Sequence, residues 1–162
     1  MVWLVRLLIG LGALALLAVL AGQIGLLRGH PPTDLGVRDG KFKAPSNNPN
    51  SVSSQADLWP GHPQQAYAQI APLPAGPDGA ATLARLHKLL ADWPGARVVK
   101  AEGDYLHAEF TTPLMKYTDD TEFWLDRAAG VLHVRSASRL RRSDLQANRN
   151  RVQALRAALA AR

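Results

Sequence analysis

Between Arg6 and Arg28 lies a run with no charged side chain, Leu7 to Leu27 (LLIGLGALALLAVLAGQIGLL). At 1.5 Å rise per residue, a helix of that length reaches about 30 Å, the thickness of a bilayer's hydrocarbon core. No other feature of this sequence constrains its fold as much, because such a run is either an anchor or a signal removed after export. A signal reading uses Arg6 as the basic flank and Val19-Leu20-Ala21 as a small-residue cleavage site. The apolar run continues past that site through Gly22 to Leu27, which favours a retained anchor. Residues 1–28 are therefore expected to be a transmembrane anchor or uncleaved signal.

Orientation is contested. Arg28, Arg38, Lys41 and Lys43 outnumber Arg6 on the other flank, which by the positive-inside rule keeps the large domain in the cytoplasm. The signal-like layout of the first 21 residues argues for export, with a bacterial inner membrane and a periplasmic domain as the natural expectation.

Residues 29–50 read as a linker. They carry Pro31, Pro32, Pro45 and Pro49 with turn-forming Gly36, Gly40, Asn47 and Asn48, and show little periodicity. Such a stretch is expected to hold a domain off the bilayer as an extended strap. The remainder, 51–162, is enough chain for one core. The absence of cysteine excludes disulfides, thiol nucleophiles and thiolate metal sites.

Within that domain, Ala66 to Leu73 alternates enough for an edge strand ending at Pro72 and Pro74. Asp78 caps a helix whose Leu83, Leu86, Leu90 and Trp93 recur at helical spacing until Pro94-Gly95. Two hairpins follow, 97–102 with 105–112 around Gly103-Asp104, and 119–126 with 131–138. A last helix is expected from Ser143, with Ser143 and Gln146 as a capping box and Leu145, Val152, Leu155 and Leu159 buried. The order β-α-β-β-β-β-α implies an α+β domain: a mainly antiparallel sheet with both helices on one face.

Period-two alternation assigns faces to the hairpins. Phe123 opposite Val134 and Leu125 opposite Leu132 face a core, as do Val99 opposite Ala108 and Ala101 opposite Leu106. The other face collects Lys100, Tyr105, His107, Glu109, Glu122, Trp124, His133 and Arg135. It is either a solvated sheet surface laced with charge pairs or a surface for a ligand or partner. His107 and Glu109 could supply two metal ligands from one strand, too few for a site. Asp119, Asp120 and Glu122 could serve acid–base chemistry with His107 or His133, giving a hydrolase-like alternative. The chain contains no glycine-rich phosphate loop, nucleophile elbow or HExxH, so no catalytic residue, metal or cofactor is assigned.

The charge of +6 is local. Residues 135–162 hold eight arginines against one acid, Asp144, and are more positive than the whole chain. With an anchor present and no aromatic platform, nucleic acid is a poor partner for this stripe. Anionic lipid, an acidic protein or plain solvation of an outer helix face suits it better. Asn148 is expected to be buried and hydrogen-bonded, since it lies beside the apolar stripe.

Pro49-Asn50-Ser51-Val52-Ser53-Ser54-Gln55, Asp119-Asp120-Thr121-Glu122-Phe123, Arg135-Ser136-Ala137-Ser138-Arg139-Leu140, and Ser143-Asp144-Leu145 with Asn148 and Arg151 together resemble the domain of unknown function 1499 family, over about residues 34 to 160. The resemblance implies no biochemical activity. Ser51 stands where cysteine is common in the family, Arg141 and Gln146 where glycine is expected, and Lys116 and Thr118 where more apolar residues are expected. The shared motifs suggest one polar cluster: Ser53, Ser54, Asp119, Asp120, Glu122, Arg135, Ser136, Ser138, Arg139, Asp144, Asn148 and Arg151. It is either a lock between strand ends and the last helix or a pocket for a small polar or anionic ligand. The leading expectation is a non-enzymatic, membrane-anchored binding domain for lipid or a protein partner.

Overall fold

The computed structural model describes residues 1–140 and 142–161. Arg141 and Arg162, two of the eight C-terminal arginines, lie outside the described residues. The first helix, α1 (Val2–Gln23), is long and apolar enough to span a bilayer, with a mean hydropathy of 2.5. Its side chains are exposed along nearly the whole length, and its C-terminal end packs on the rest of the chain. There Gly22 is buried, and the Gln23 amide donates to the carbonyls of Pro113 at 3.3 Å and Leu114 at 2.8 Å. A Cβ at Gly22 would stand 2.6 Å from the Met115 carbonyl oxygen, so only glycine admits this approach. Gly29 lies equally close to Arg139 and Leu140.

The domain is α+β, built on one antiparallel sheet. Its four long strands are β3 (Ala96–Glu102), at one edge, then β4 (Tyr105–Thr111), β5 (Thr118–Asp126) and β6 (Val131–Ser138). Two short edge strands, β1 (Ser51–Ser53) and β2 (Leu73–Pro74), both pair with β6, at its C-terminal and N-terminal halves respectively. The β5–β6 register is the one the alternation predicts, with Phe123 opposite Val134, Trp124 opposite His133 and Glu122 opposite Arg135. Helices α3 (Gly79–Ala91) and α4 (Ala147–Ala160) cover one face. Leu83, Leu86 and Leu90 from α3, and Val152, Leu155 and Leu159 from α4, enclose Phe123, Leu125, Leu132 and Val134. The Asp78 carboxylate accepts from the Ala81 N–H at 3.0 Å and caps α3 as expected.

Three local expectations are corrected. The edge strand over 66–73 is instead a single turn of helix, α2 (Gln65–Ala68), an extended stretch, and the two-residue β2. Pro72 and Pro74 lack the N–H groups that a longer ladder would need.

In β3 the register slips between Val98 and Lys100, so Val98 rather than Val99 opposes Ala108. This β-bulge leaves Val99 44% exposed, and Arg97, not Val98, faces Glu109.

The last helix starts at Ala147, four residues later than the capping box predicts. Leu145 and Gln146 adopt left-handed φ values of 51° and 69°, and Leu145 is 83% exposed rather than buried. The carboxylate of Asp144 takes the capping role, accepting from Asn148 N–H at 3.0 Å and Gln146 N–H at 3.2 Å. A buried charged acceptor outcompetes the Ser143 hydroxyl, which accepts only from Leu145 N–H at 3.3 Å.

Candidate functional site

Because side chains alternate along a strand, the polar residues suggested by the sequence do not form one cluster. The sheet separates them into two. Asp119, Thr121, Ser136 and Ser138 point to the helix face, where they meet Asn148 and Arg151 of α4. Arg151 bonds Asp119 at 2.6 Å, Asn148 Oδ1 at 2.6 Å and Ser136 Oγ at 3.0 Å, and its guanidinium lies 4.6 Å from the Phe110 ring centre. Thr121 and Ser136 share a hydroxyl hydrogen bond of 2.7 Å, and Ser136 Oγ donates to Asn148 at 2.6 Å. The Asn148 amide donates to Asn50 O, Ser138 Oγ and Asp144 Oδ2, so it is buried and satisfied as expected. Tyr67 donates its hydroxyl to Asp144 at 2.7 Å; burial and that carboxylate push its own pKa up to about 12. This half of the cluster is a lock that joins α4 to the loop before β1, to β5, β6 and α2. Ser53, on β1, lies opposite Arg135 and so belongs to the other face, where it is buried and accepts from Gln55 N–H.

The other arginines of α4 also face inward contacts. Arg149 donates to the carbonyls of Tyr67 and Gln69, and Arg156 to those of Ala71 and Pro72. They fasten α4 to α2 and to the extended stretch that follows it. Arg149, Arg151 and Arg156 of α4 are thus engaged by the chain itself.

Asp120, Glu122, Arg135 and Arg139 point to the opposite face, with Tyr105, His107, Glu109, Trp124 and His133. Asp120 Oδ1 meets His107 Nε2 at 2.9 Å, and Arg139 grips both its oxygens at 2.8 Å. Burial pushes the Asp120 carboxyl up, but the Arg139 and His107 hydrogen bonds outweigh it and hold the group below the usual carboxylate range. Glu109 sits between Arg139 and Arg97, and is likewise held low against the opposing effect of burial. Glu122, fully buried, accepts from Tyr105 Oη at 2.8 Å and lies 3.3 Å from Arg135 Nη1. Burial, and then the charge of Glu122, push the Tyr105 hydroxyl well above its ordinary value. Trp124 stacks on His133 with ring centres 5.5 Å apart, and Ser54 Oγ meets His133 Nδ1 at 3.1 Å.

This face is roofed. The segment 34–46 crosses it, and several contacts tie it down. The Gly36 N–H donates to Glu122 Oε1 at 2.6 Å, and Phe42 N–H to Gln55 Oε1 at 2.9 Å. Phe42 itself is 1% exposed, Gln55 reaches back to Gly40 O, and Ser46 N–H donates to the hydroxyl of Ser51 at 2.8 Å. Asp34 and Lys43 pair at 2.6 Å, and the lysine holds Asp34 below the ordinary carboxylate range. On either side of the strap an open cleft remains. One, about 670 Å³, lies between His30–Asn47 and the end of β6. The other, about 610 Å³, lies over Tyr105, His107 and Trp124.

Sequence reasoning located the sheet residues but missed the strap residues Asp34, Gly36, Phe42 and Lys43, and the partner Gln55. The available signal was Phe42, the only aromatic residue in an otherwise polar, proline-rich segment.

Over residues 41–159 the sequence matches the family described as protein of unknown function (DUF1499). The chain belongs to that family. The DUF1499 match takes in both halves of the polar set and the strap from Lys41 onward. No curated protein and no solved structure matches the chain. Gln146, where the family resemblance leads to an expected glycine, is one of the two left-handed residues before α4, which gives that glycine a conformational reason. Ser51, in place of the family's common cysteine, is buried and anchors the strap through Ser46.

Proposed function

We propose that this DUF1499 protein is a single-pass, membrane-anchored protein of the bacterial cell envelope, whose domain is exported, sits directly on the bilayer and binds there without catalysing a reaction. The observation that carries this reading is the packing of the last turn of α1 on the β4–β5 loop. If Val2–Gln23 spans the membrane, residues touching Gly22 and Gln23 lie at the interface. That end of the sheet also exposes Leu114 (59%), Leu140 (37%) and Leu145 (83%), with Lys116, Arg142 and Arg28 nearby in the chain. Exposed leucines among basic groups suit the boundary between headgroups and acyl chains.

Binding is favoured over catalysis because the carboxylates of the polar face are already held by cations. A general base needs a free lone pair and a pKa near the working pH, whereas Asp120 and Glu109 are held low. The His107–Asp120 contact is the one observation favouring a hydrolase-like reading. It is weakened by Arg139, which occupies both Asp120 oxygens.

The chain has no cysteine, so single labels are clean. Bimane at Leu114→Cys and at Leu145→Cys, in protein reconstituted into vesicles, is expected to be quenched by brominated acyl chains. Bimane at Glu102→Cys, at the opposite end of the sheet, is expected to stay unquenched. Equal quenching at all three positions would refute the seating. An alkaline phosphatase fusion after Leu27 is expected to be active in a bacterial host, and an inactive fusion would place the domain in the cytoplasm.

A further inference from the structure

The end of the sheet on which α1 docks also carries an apolar groove of about 390 Å³. Trp93 and Pro94 from the turn after α3, Phe110 and Pro113 from the end of β4, and Ala147 and Ala154 from the first turns of α4 line it. Its shape is fixed by the chain itself. The Thr111 N–H donates to Gly95 O at 2.8 Å, and a Cβ at Gly95 would stand 2.5 Å from the Thr111 carbonyl oxygen, so the turn and the strand end are held together. Trp93 packs against the core from the same turn. On α4, Ala147, Asn150, Arg151 and Ala154 share one face, and the small side chains at 147 and 154 keep the groove open.

The lining suits a hydrocarbon better than a peptide or a polar ligand, because its polar side chains on β4 and Arg151 are already engaged. The Thr112 hydroxyl accepts from Tyr117 N–H at 3.0 Å, and that of Thr111 lies 3.1 Å from the Thr118 hydroxyl. Arg151 is bonded to Asp119, Asn148 and Ser136. β4 runs between β3 and β5, so no strand edge is open here for a peptide backbone to extend. A polar occupant would lose hydrogen bonds to water without replacing them, whereas an alkyl chain has none to lose.

Position supplies the source of that chain. Pro113 lines the groove, and its carbonyl accepts from Gln23 of α1 at 3.3 Å, so one wall is the loop on which the membrane-length helix docks. The exposed Leu114 follows on the same loop. Indole rings such as that of Trp93 are enriched where protein meets the membrane interface. We propose that this groove takes one acyl chain of a lipid from the leaflet on which the domain sits, which makes the bound partner a bilayer lipid held by its tail. The proposal rests on the membrane-seated reading above.

The test uses the full chain in phosphatidylcholine vesicles that contain a phosphatidylcholine with a diazirine midway along one acyl chain. After irradiation, adducts are mapped by trypsin digestion and mass spectrometry. They are expected on peptides 89–97 and 152–156, which hold Trp93 and Ala154 but not Leu114, Leu140 or Leu145. Ala154→Phe, at an exposed position, fills the groove. It is expected to lose those adducts, to keep the ones at Leu114 and Leu145, and to leave the urea midpoint unchanged. Should Ala154→Phe fold poorly, Asn150→Phe fills the groove from the preceding turn, with the same loss expected. Adducts at Leu114 and Leu145 with none on the two peptides would leave the seating intact and overturn the groove, as would groove adducts that persist in both variants. Equal insertion at Gln153, exposed on α4 and outside the groove lining, would mean that α4 lies in the bilayer and would also overturn it. Groove adducts with no insertion at Leu114 or Leu145 would instead refute the seating, and with it the leaflet as the source.

Discussion

Asn148 shows how much one buried polar side chain can hold. It has no exposure and joins α4 to the loop before β1, to β6 and to its own cap. Asn148→Leu keeps the branched shape but removes one bond each from the Asn50 carbonyl, which keeps the Ser138 N–H, and from Ser138, Asp144 and Ser136. A loss of roughly 2–3 kcal/mol is expected in urea unfolding.

The titratable residues predict a stability that falls with acid in two steps. Burial, opposed by the charge of Asp126, holds His133 below its ordinary 6.5. The unfolded chain therefore takes that proton first, and stability declines as pH drops through about 6.5 until the folded His133 is also protonated. Asp120, Glu109, Asp34 and Asp144 are lowered instead, so their contribution is complete above the unfolded values, 3.8 for the aspartates and 4.5 for the glutamate, and lost as pH falls through the folded values. His133→Phe, which keeps the stack on Trp124, is expected to remove the upper step. Arg139→Gln removes the cation that holds Asp120 and Glu109 low, and is expected to lower the urea midpoint at neutral pH and to shrink the lower step. Urea midpoints measured from pH 8 to pH 3 separate the two.

Among the elements, the β6–α4 loop is the one in which local preference and tertiary demand disagree. Ser143 and Gln146 spell a capping box, but the chain needs Asp144 turned inward to Asn148 and Tyr67. Reaching that geometry puts two consecutive non-glycine residues in the left-handed region, at a cost of about 1–2 kcal/mol each. Gln146→Gly is expected to raise stability by about 1 kcal/mol, read as a shift of the urea midpoint, and to leave membrane seating unchanged. Leu145→Gly relieves similar strain but removes an exposed apolar side chain. It is therefore expected to stabilise the chain while weakening lipid quenching of a label at Leu114→Cys.

The bulge in β3 has a comparable origin. Strict alternation would put Val99 inside, but the slip lets Val98 pack against the core and brings Arg97 to Glu109. Pattern reading counts residues and cannot see where a ladder inserts one.

On the scale of the whole molecule, the decisive contact is the one between α1 and the domain. Composition suggests that residues 29–50 hold the domain away from the bilayer. Instead, residues 34–46 lie on the sheet, and α1 meets the β4–β5 loop through Gly22 and Gln23. Gly22→Val keeps the apolar run but drives a side chain into the Met115 carbonyl. The expected outcome is an anchored protein whose domain unfolds at the same denaturant concentration while a label at Leu114→Cys escapes lipid quenching.

The sequence by itself determined the apolar helix, the α+β class, both hairpins, the β5–β6 register and the burial of Asn148. Each follows from spacing between near neighbours: a run long enough to span, a two-residue period, a turn dipeptide, a stripe on a helix. The tertiary structure alone decided that the polar set divides between two faces. It also decided that Arg149 and Arg156 of α4 bind backbone carbonyls and that the proline-rich segment roofs the sheet. Those outcomes depend on partners from 12 to 98 residues away, because a buried polar group is stable only where a distant acceptor or donor meets it, and no local period records that distance.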